Sequence, residues 1–112
     1  MVSRELVAAS TRPLVLSVLA TGENYGYAII QQVVSLSGGE LSWSEGMLYP
    51  VLHRLEKEKL ILSRWKIGES GRKRKYYRLS SAGRKALTVT KKQWLTVHET
   101  LLKVWGPNVC PT

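Results

Sequence analysis

The chain has 112 residues, enough for one domain with a modest core. Its net charge is +9, from 17 Lys and Arg against 8 Asp and Glu, and its hydrophobic content of 44% is that of a globular protein. No apolar run reaches bilayer length, residues 1–5 show no signal-peptide pattern, and the single cysteine, Cys110, allows no intramolecular disulfide. A cytoplasmic protein is therefore the simplest expectation. The positive charge is uneven. Residues 1–40 hold two Arg against three Glu, residues 41–79 ten Lys and Arg against four Glu, and residues 80–112 five against one. A basic face of this kind favours nucleic acid, or less often an acidic membrane surface.

Residues 4–21 predict a first helix, with Leu6, Val7, Leu14, Leu16, Val18 and Leu19 as core candidates. Pro13 interrupts the pattern. Either the main helix starts there, with Thr11 near the cap, or a longer helix kinks; a helical first segment meeting a second near Pro13 is the expectation. Residues 14–20 are almost wholly apolar, which suggests burial on two sides, one against the domain and one against a partner subunit. Gly22 ends this helix and Asn24 is a fair cap for the next. Tyr25, Ile29, Ile30, Val33 and Leu36 make the second helix amphipathic. Gly26 either permits close approach or is merely tolerated. Ser37, Gly38 and Gly39 stop the helix, and Leu41 is expected to add a short strand to a sheet.

A third helix follows. Ser44 can cap it, and Glu45 suits the positive end of its dipole. Leu48, Val51, Leu52 and Leu55 fall at i, i+3, i+4 and i+7, a buried stripe. Opposite lie Glu45, Gly46, Tyr49, His53, Arg54 and Lys57, a polar face of a size that enters a major groove. Pro50 cannot donate to the Gly46 carbonyl, so a small kink is expected. Leu60 to Ile67 then reads as a β-prone run, residues 68–71 as a turn, and Arg72, Lys73, Arg74, Lys75, Tyr76, Tyr77, Arg78 and Leu79 as the return strand. A hairpin with four successive cations beside its tip can lie along a phosphate backbone while the preceding helix reads bases. The bland alternative is a charged, solvated hairpin edge. Helix then hairpin, in this order, is a winged helix-turn-helix, in which the second helix crosses the backbone and the third enters the groove.

The last helix is expected from Ser80 or Ser81 to Trp105, stopped by Gly106 and Pro107. At 1.5 Å per residue it spans roughly 35–40 Å, longer than this domain needs for its own core. Leu87, Trp94 and Leu101 share one heptad position, and Thr90, Val97 and Val104 the other. Either this stripe packs on the first helix alone, or it is buried on a second copy; the second reading is preferred, with Leu87, Trp94, Val97, Leu101 and Val104 as dimer contacts. Trp94 near a two-fold axis could offer a flat apolar slot to a planar aromatic effector, walled by Val7, Ala8 or Leu14, though an aromatic at helical spacing usually just packs.

Enzyme chemistry finds no support. His53 and His98 lie on separate helices, and no cysteine pair or His-x-x-x-His spacing supports zinc. Gly68 and Gly71 lack the lysine and hydroxyl of a phosphate loop, and none of the eight carboxylates forms an evident pair. No cofactor or metal is expected.

Gly26-Tyr27, Leu48-Tyr49-Pro50 with Leu55-Glu56, the run from Gly71 to Leu79, and Ser81-Ala82-Gly83 together resemble the PadR family of transcriptional regulators. The resemblance covers roughly residues 13–105. It implies a repressor controlled by a small, often aromatic, effector. Lys59 departs from the pattern, since such proteins usually carry glycine there for a left-handed helix cap. The expected architecture is mainly α with a small β-wing: a winged helix-turn-helix domain over residues 1–79, a C-terminal dimerisation helix over 80–105, and a tail over 106–112. The expected DNA contacts are Tyr49, His53 and Arg54 to bases, Ser44, Gly46 and Lys57 near phosphates, and Arg72, Lys73, Arg74 and Lys75 along the backbone or minor groove. The expected partners are double-stranded DNA with a near-palindromic operator, a second copy of the chain, and a small aromatic effector, with no membrane. The alternative is an RNA-binding or protein-interaction winged helix that uses the same cations without reading bases.

Overall fold

The computed structural model describes residues 2–107. Met1 and residues 108–112, with Cys110 and most of the predicted tail, lie outside the described residues. The elements run α1 (Arg4–Ala20), β1 (Asn24–Tyr25), α2 (Gly26–Leu36), α3 (Glu45–Lys57), β2 (Ile61–Ile67), β3 (Lys73–Leu79) and α4 (Ser81–Trp105).

Contrary to expectation, α1 passes through Pro13 as one helix. Ser3 caps it by accepting from the Leu6 N–H at 3.3 Å. Proline removes one backbone donor, but packing on both sides of it outweighs that loss. Val7 and Thr11 before it, and Val15, Leu16, Val18 and Leu19 after it, all enter the core. The Thr11 and Ser17 hydroxyls donate to the Val7 and Pro13 carbonyls, each at 2.7 Å. Arg12 adds a two-pronged pair to Glu58 at the end of α3, at 2.8 and 2.9 Å. Three residues expected on buried faces are not fully buried: Leu6 and Leu36 are exposed, and Leu14 is only half-buried.

The sheet has the order β1-β3-β2, antiparallel throughout. Its third strand is Asn24–Tyr25, paired with Tyr77 and Tyr76, and not a strand at Leu41. Leu41 is held in a local turn instead. Its N–H donates to the Ser37 hydroxyl at 2.9 Å, and that hydroxyl donates to the Leu41 carbonyl at 3.4 Å, so Leu41 has little left to offer a strand. Asn24 likewise does not cap α2. The cap residue is Tyr25, and the Asn24 side chain accepts from the Tyr25 N–H at 3.0 Å.

The corner after α3 resolves the question at Lys59. Its φ is 63°, in the left-handed region. The Leu60 N–H reaches back to the Leu55 carbonyl, and the Lys59 N–H to the Glu56 carbonyl, both at 3.0 Å. These are the two bonds of a Schellman cap, made here without glycine. The same corner anchors α4. Ser80 donates its N–H to the Leu60 carbonyl at 3.0 Å, and its hydroxyl to the Lys59 carbonyl at 2.7 Å while accepting from the Gly83 N–H at 3.0 Å. Gly83 is buried against the Leu60 carbonyl so tightly that no side chain fits there.

The core joins Leu16, Leu19, Ile29, Leu48, Leu52, Leu55, Ile61 and Tyr77. Val51, the remaining member of the predicted stripe, packs against it half-buried. Burial, with the Glu56 carboxylate nearby, pushes the Tyr77 phenol up to about 12. Leu87 belongs to this core as well, at 5% exposure. Beyond it α4 leaves the domain: every residue from 91 to 101 is exposed. The molecule is consequently 52 Å in its longest dimension.

Candidate nucleic-acid interface

Helix α3 starts at the Ser44 cap, whose hydroxyl accepts from the Met47 N–H at 3.2 Å. Leu48, Leu52 and Leu55 face the core, which turns Glu45, Gly46, His53, Arg54 and Lys57 outward. Tyr49 differs from its neighbours. It is half-buried, and its hydroxyl end lies over the start of α2, only 2.6 Å from where a Cβ on Gly26 would sit. The close approach that Gly26 permits is thus that of a tyrosine ring from the next helix. Tyr49 also leans on His53, with ring centroids 6.5 Å apart.

The hairpin β2–β3 stands beside this face. Gly71, at φ 79°, turns the chain, and the Gly68 N–H donates to the Arg72 carbonyl at 2.8 Å. The predicted wing cations are not equivalent. Lys75 pairs with Glu56 at 3.4 Å, and Glu56 also accepts from the Ser63 hydroxyl. Arg74 lies over the Tyr25 ring at 4.4 Å. Among the described residues, Arg72 and Lys73 make no ion pair, and they sit nearest the tip.

Two further wing cations are engaged from an unexpected direction. Glu23, before β1, reaches across β3 to β2. It accepts from Arg64 at 2.8 and 3.0 Å and from Lys66 at 2.8 Å. These cations hold its carboxyl down at about 2. Lys66 in turn sits over Tyr76, and Tyr76 meets Tyr25 edge-on at 5.3 Å. The outer wing face is therefore a tied layer of rings and charges. Nothing in the sequence pairs Glu23 with residues 41 and 43 positions away, because only the β1–β3 pairing brings them together.

Between α3 and the wing lies an open cleft of about 600 Å³. Its lining brings together Glu45, Tyr49 and His53 from α3 with Arg72, Lys73, Arg74 and Lys75 from the wing. It also includes Tyr25, Tyr27 and Trp65, which the sequence reading did not assign to the DNA site. Period-two alternation along β2 was the available signal for Trp65, since it shares a face with Ser63 and Ile67. Ser44, Gly46, Arg54 and Lys57 lie on the exposed α3 surface outside this lining.

On α4, Trp94, Val97, Leu101 and Val104 are exposed, whereas Leu87 is already packed at home. A shallow hollow of about 150 Å³ is lined by Gln93, Trp94 and Val97. Val7, Ala8 and Leu14 are not part of its lining within one chain; Val7 is buried in the core, Leu14 half-buried and Ala8 exposed. Among the described residues no group of three His, Cys, Asp or Glu could hold a metal, and no helix is long and apolar enough to cross a membrane.

A short helical core, a recognition-type helix and a basic hairpin define a winged helix-turn-helix domain with a long C-terminal helix. The Transcriptional regulator PadR-like family matches residues 15–89, more than half of the chain, and the chain belongs to that family. It is thus a transcriptional regulator and not an enzyme. A transcriptional regulator of Mycobacterium tuberculosis is 41% identical over 85 residues, covering 76% of each chain. A PadR-like transcriptional regulator from Bacillus cereus has a similar structure, with a TM-score of 0.81 at 29% identity over 93% of this chain and 99% of that one. A transcriptional regulator from Clostridium thermocellum also superposes at 0.81, with 26% identity over 90% and 95% of the two chains.

Proposed function

We propose that the chain is a homodimeric, sequence-specific repressor in the cytoplasm that binds a near-palindromic DNA operator and is released by a small aromatic effector. The observation that carries the DNA reading is the placement of the exposed α3 face across one cleft from Arg72 and Lys73, which make no ion pair among the described residues. Helix α3 enters the major groove, with Tyr49, His53 and Arg54 toward bases and Ser44, Gly46 and Lys57 near phosphates. The wing grips the flanking backbone and sets no sequence preference of its own.

The exposed apolar residues of α4 support the dimer. Trp94, Val97, Leu101 and Val104 stand in water in one chain, and a second copy offers the same stripe in return. An effector seated at the paired Trp94 rings, with Ala8 and Leu14 of either chain as walls, would favour one spacing of the two reading heads and so change operator affinity.

Titration on operator and scrambled DNA tests the reading role. Tyr49→Ala should lose roughly 1–3 kcal/mol of preference for the operator. Equal loss on both DNAs would reject base contact by Tyr49 and leave it as the ring that holds α3 against Gly26. For the effector, planar aromatic compounds should quench the native protein and release DNA, and Trp94→Phe should bind them more weakly. Unchanged binding to Trp94→Phe would exclude Trp94 as the platform.

A further inference from the structure

The inner face of the wing carries more than cations. Trp65 is 62% exposed and Ile67 72% exposed. In the hairpin register Trp65 stands opposite Lys75, and Ile67 opposite Lys73. Paired positions share a face, so both apolar side chains and both lysines lie on one side of the hairpin; Trp65, Lys73 and Lys75 line the same cleft as His53 of α3, and Ile67 lies outside that lining. A hairpin that served only to present charge would gain nothing from an exposed indole, and an exposed apolar strand invites aggregation. A surface with an apolar centre and a cationic rim has a natural complement in the sugar–phosphate strand of a duplex. The deoxyribose edge is apolar and the phosphates on either side are anionic.

Position favours the same occupant. With α3 in the major groove and the wing tip at the adjacent minor groove, one DNA strand must cross between them. The cleft of about 600 Å³ is where it crosses, and its size falls within the roughly 300–1,000 Å³ of sites that hold nucleotide-sized ligands. Lys75 is partly neutralised by Glu56, so the middle of the cleft is less cationic than its rim at Arg72 and Lys73. That gradient places apolar contact inside and phosphate contact outside.

We propose that Trp65 is a DNA-contact residue that packs on a deoxyribose of the strand crossing this cleft, with Ile67 beside it at the minor-groove edge. The assignment rests on the DNA-binding reading and adds a sequence-independent grip that does not act through charge. Trp65→Ala, measured on full-length protein, should weaken binding to operator and scrambled duplex alike by roughly tenfold, as buried tryptophan anchors do. The slope of log affinity against log salt should stay unchanged, because no phosphate contact is lost. Trp65→Phe should retain most of the affinity. Tryptophan emission should fall on adding duplex to the native protein, and fall much less for Trp65→Phe.

The outcomes separate. If the native protein binds no duplex, the DNA-binding reading fails and this assignment falls with it. If it binds, and Trp65→Ala binds equally well with circular dichroism unchanged, only the Trp65 assignment is overturned. A salt slope lowered by about 0.9 in Trp65→Ala would overturn it too, since Trp65 would then merely support the neighbouring lysines.

Discussion

Alanine at position 83 sets two large effects against each other. Gly83 lies in the first turn of α4, where alanine is favoured over glycine by about 1 kcal/mol in helix propensity. Packing opposes it. A Cβ at Gly83 would stand 2.0 Å from the Leu60 carbonyl oxygen and 3.0 Å from both the Leu60 carbonyl carbon and the Leu79 Cδ2. The first partner is backbone and cannot rotate away, so α4 must lift by more than an ångström. Such overpacking costs about 1–3 kcal/mol. The lift also strains the Ser80 N–H bond to the Leu60 carbonyl, worth about 1 kcal/mol. The net expectation for Gly83→Ala is a loss of roughly 1–3 kcal/mol. At about 4 °C per kcal/mol for a chain of this size, Tm falls by roughly 4–12 °C. Thermal melts followed by circular dichroism measure it, at one fixed protein concentration because dimerisation would raise Tm by mass action. Ala82→Gly, at the exposed neighbouring position, is the control, and should lose only about 1 kcal/mol. A Gly83→Ala protein that melts within two degrees or so of the native one would refute the claim that α4 is docked on the Leu60 carbonyl.

Three other substitutions probe different links. Lys59→Gly should raise stability by up to about 1 kcal/mol, since glycine adopts φ 63° without Cβ strain; a lower denaturation midpoint would mean that the Lys59 side chain compensates. Leu101→Asp should give a monomer by sedimentation while leaving the fold intact, because Leu101 is exposed within one chain; a surviving dimer would move the interface off α4. Glu23 has its carboxyl held at about 2, below its ordinary 4.5, so its ion pairs stabilise the protein above pH about 4.5 and are lost as pH falls toward 2. After solvent screening the effect is at most about 1 kcal/mol. The stability gap between native protein and Glu23→Gln should shrink between pH 5 and pH 3 in urea titrations, and a gap constant over that range would contradict the pairing.

The helices were legible because their signals are local. The Ser44 cap and the Leu48, Leu52, Leu55 stripe fix α3 from adjacent residues alone, and Ser80 with Gly106 frames α4 in the same way. The hairpin followed from turn glycines between β-prone runs. What escaped needed tertiary information. Pro13 was read as an interruption because its missing N–H is a local cost, while the packing of residues on both sides becomes visible only with the core assembled. The third strand went to Leu41 when Asn24–Tyr25 forms it, since a two-residue strand leaves no periodicity to detect. In the candidate site, the cation run was plain, but what sets Arg74 and Lys75 apart from Arg72 and Lys73 is their contact with Tyr25 and Glu56, distant in sequence. Trp65 was overlooked for a different reason. It was counted as strand-forming, and its exposure depends on which wing face meets α3.

The most direct test of the central claim is footprinting and titration of the native protein on the DNA upstream of its own gene, over a salt series. Binding by a dimer that reads sequence through α3 predicts two protected segments about one helical turn, ~34 Å, apart, on a near-palindrome. It also predicts affinity at least about a thousandfold above that for scrambled duplex. Equal affinity for operator, scrambled duplex and RNA of the same length would contradict it, and would leave the wing as a charge-driven grip without a reading head.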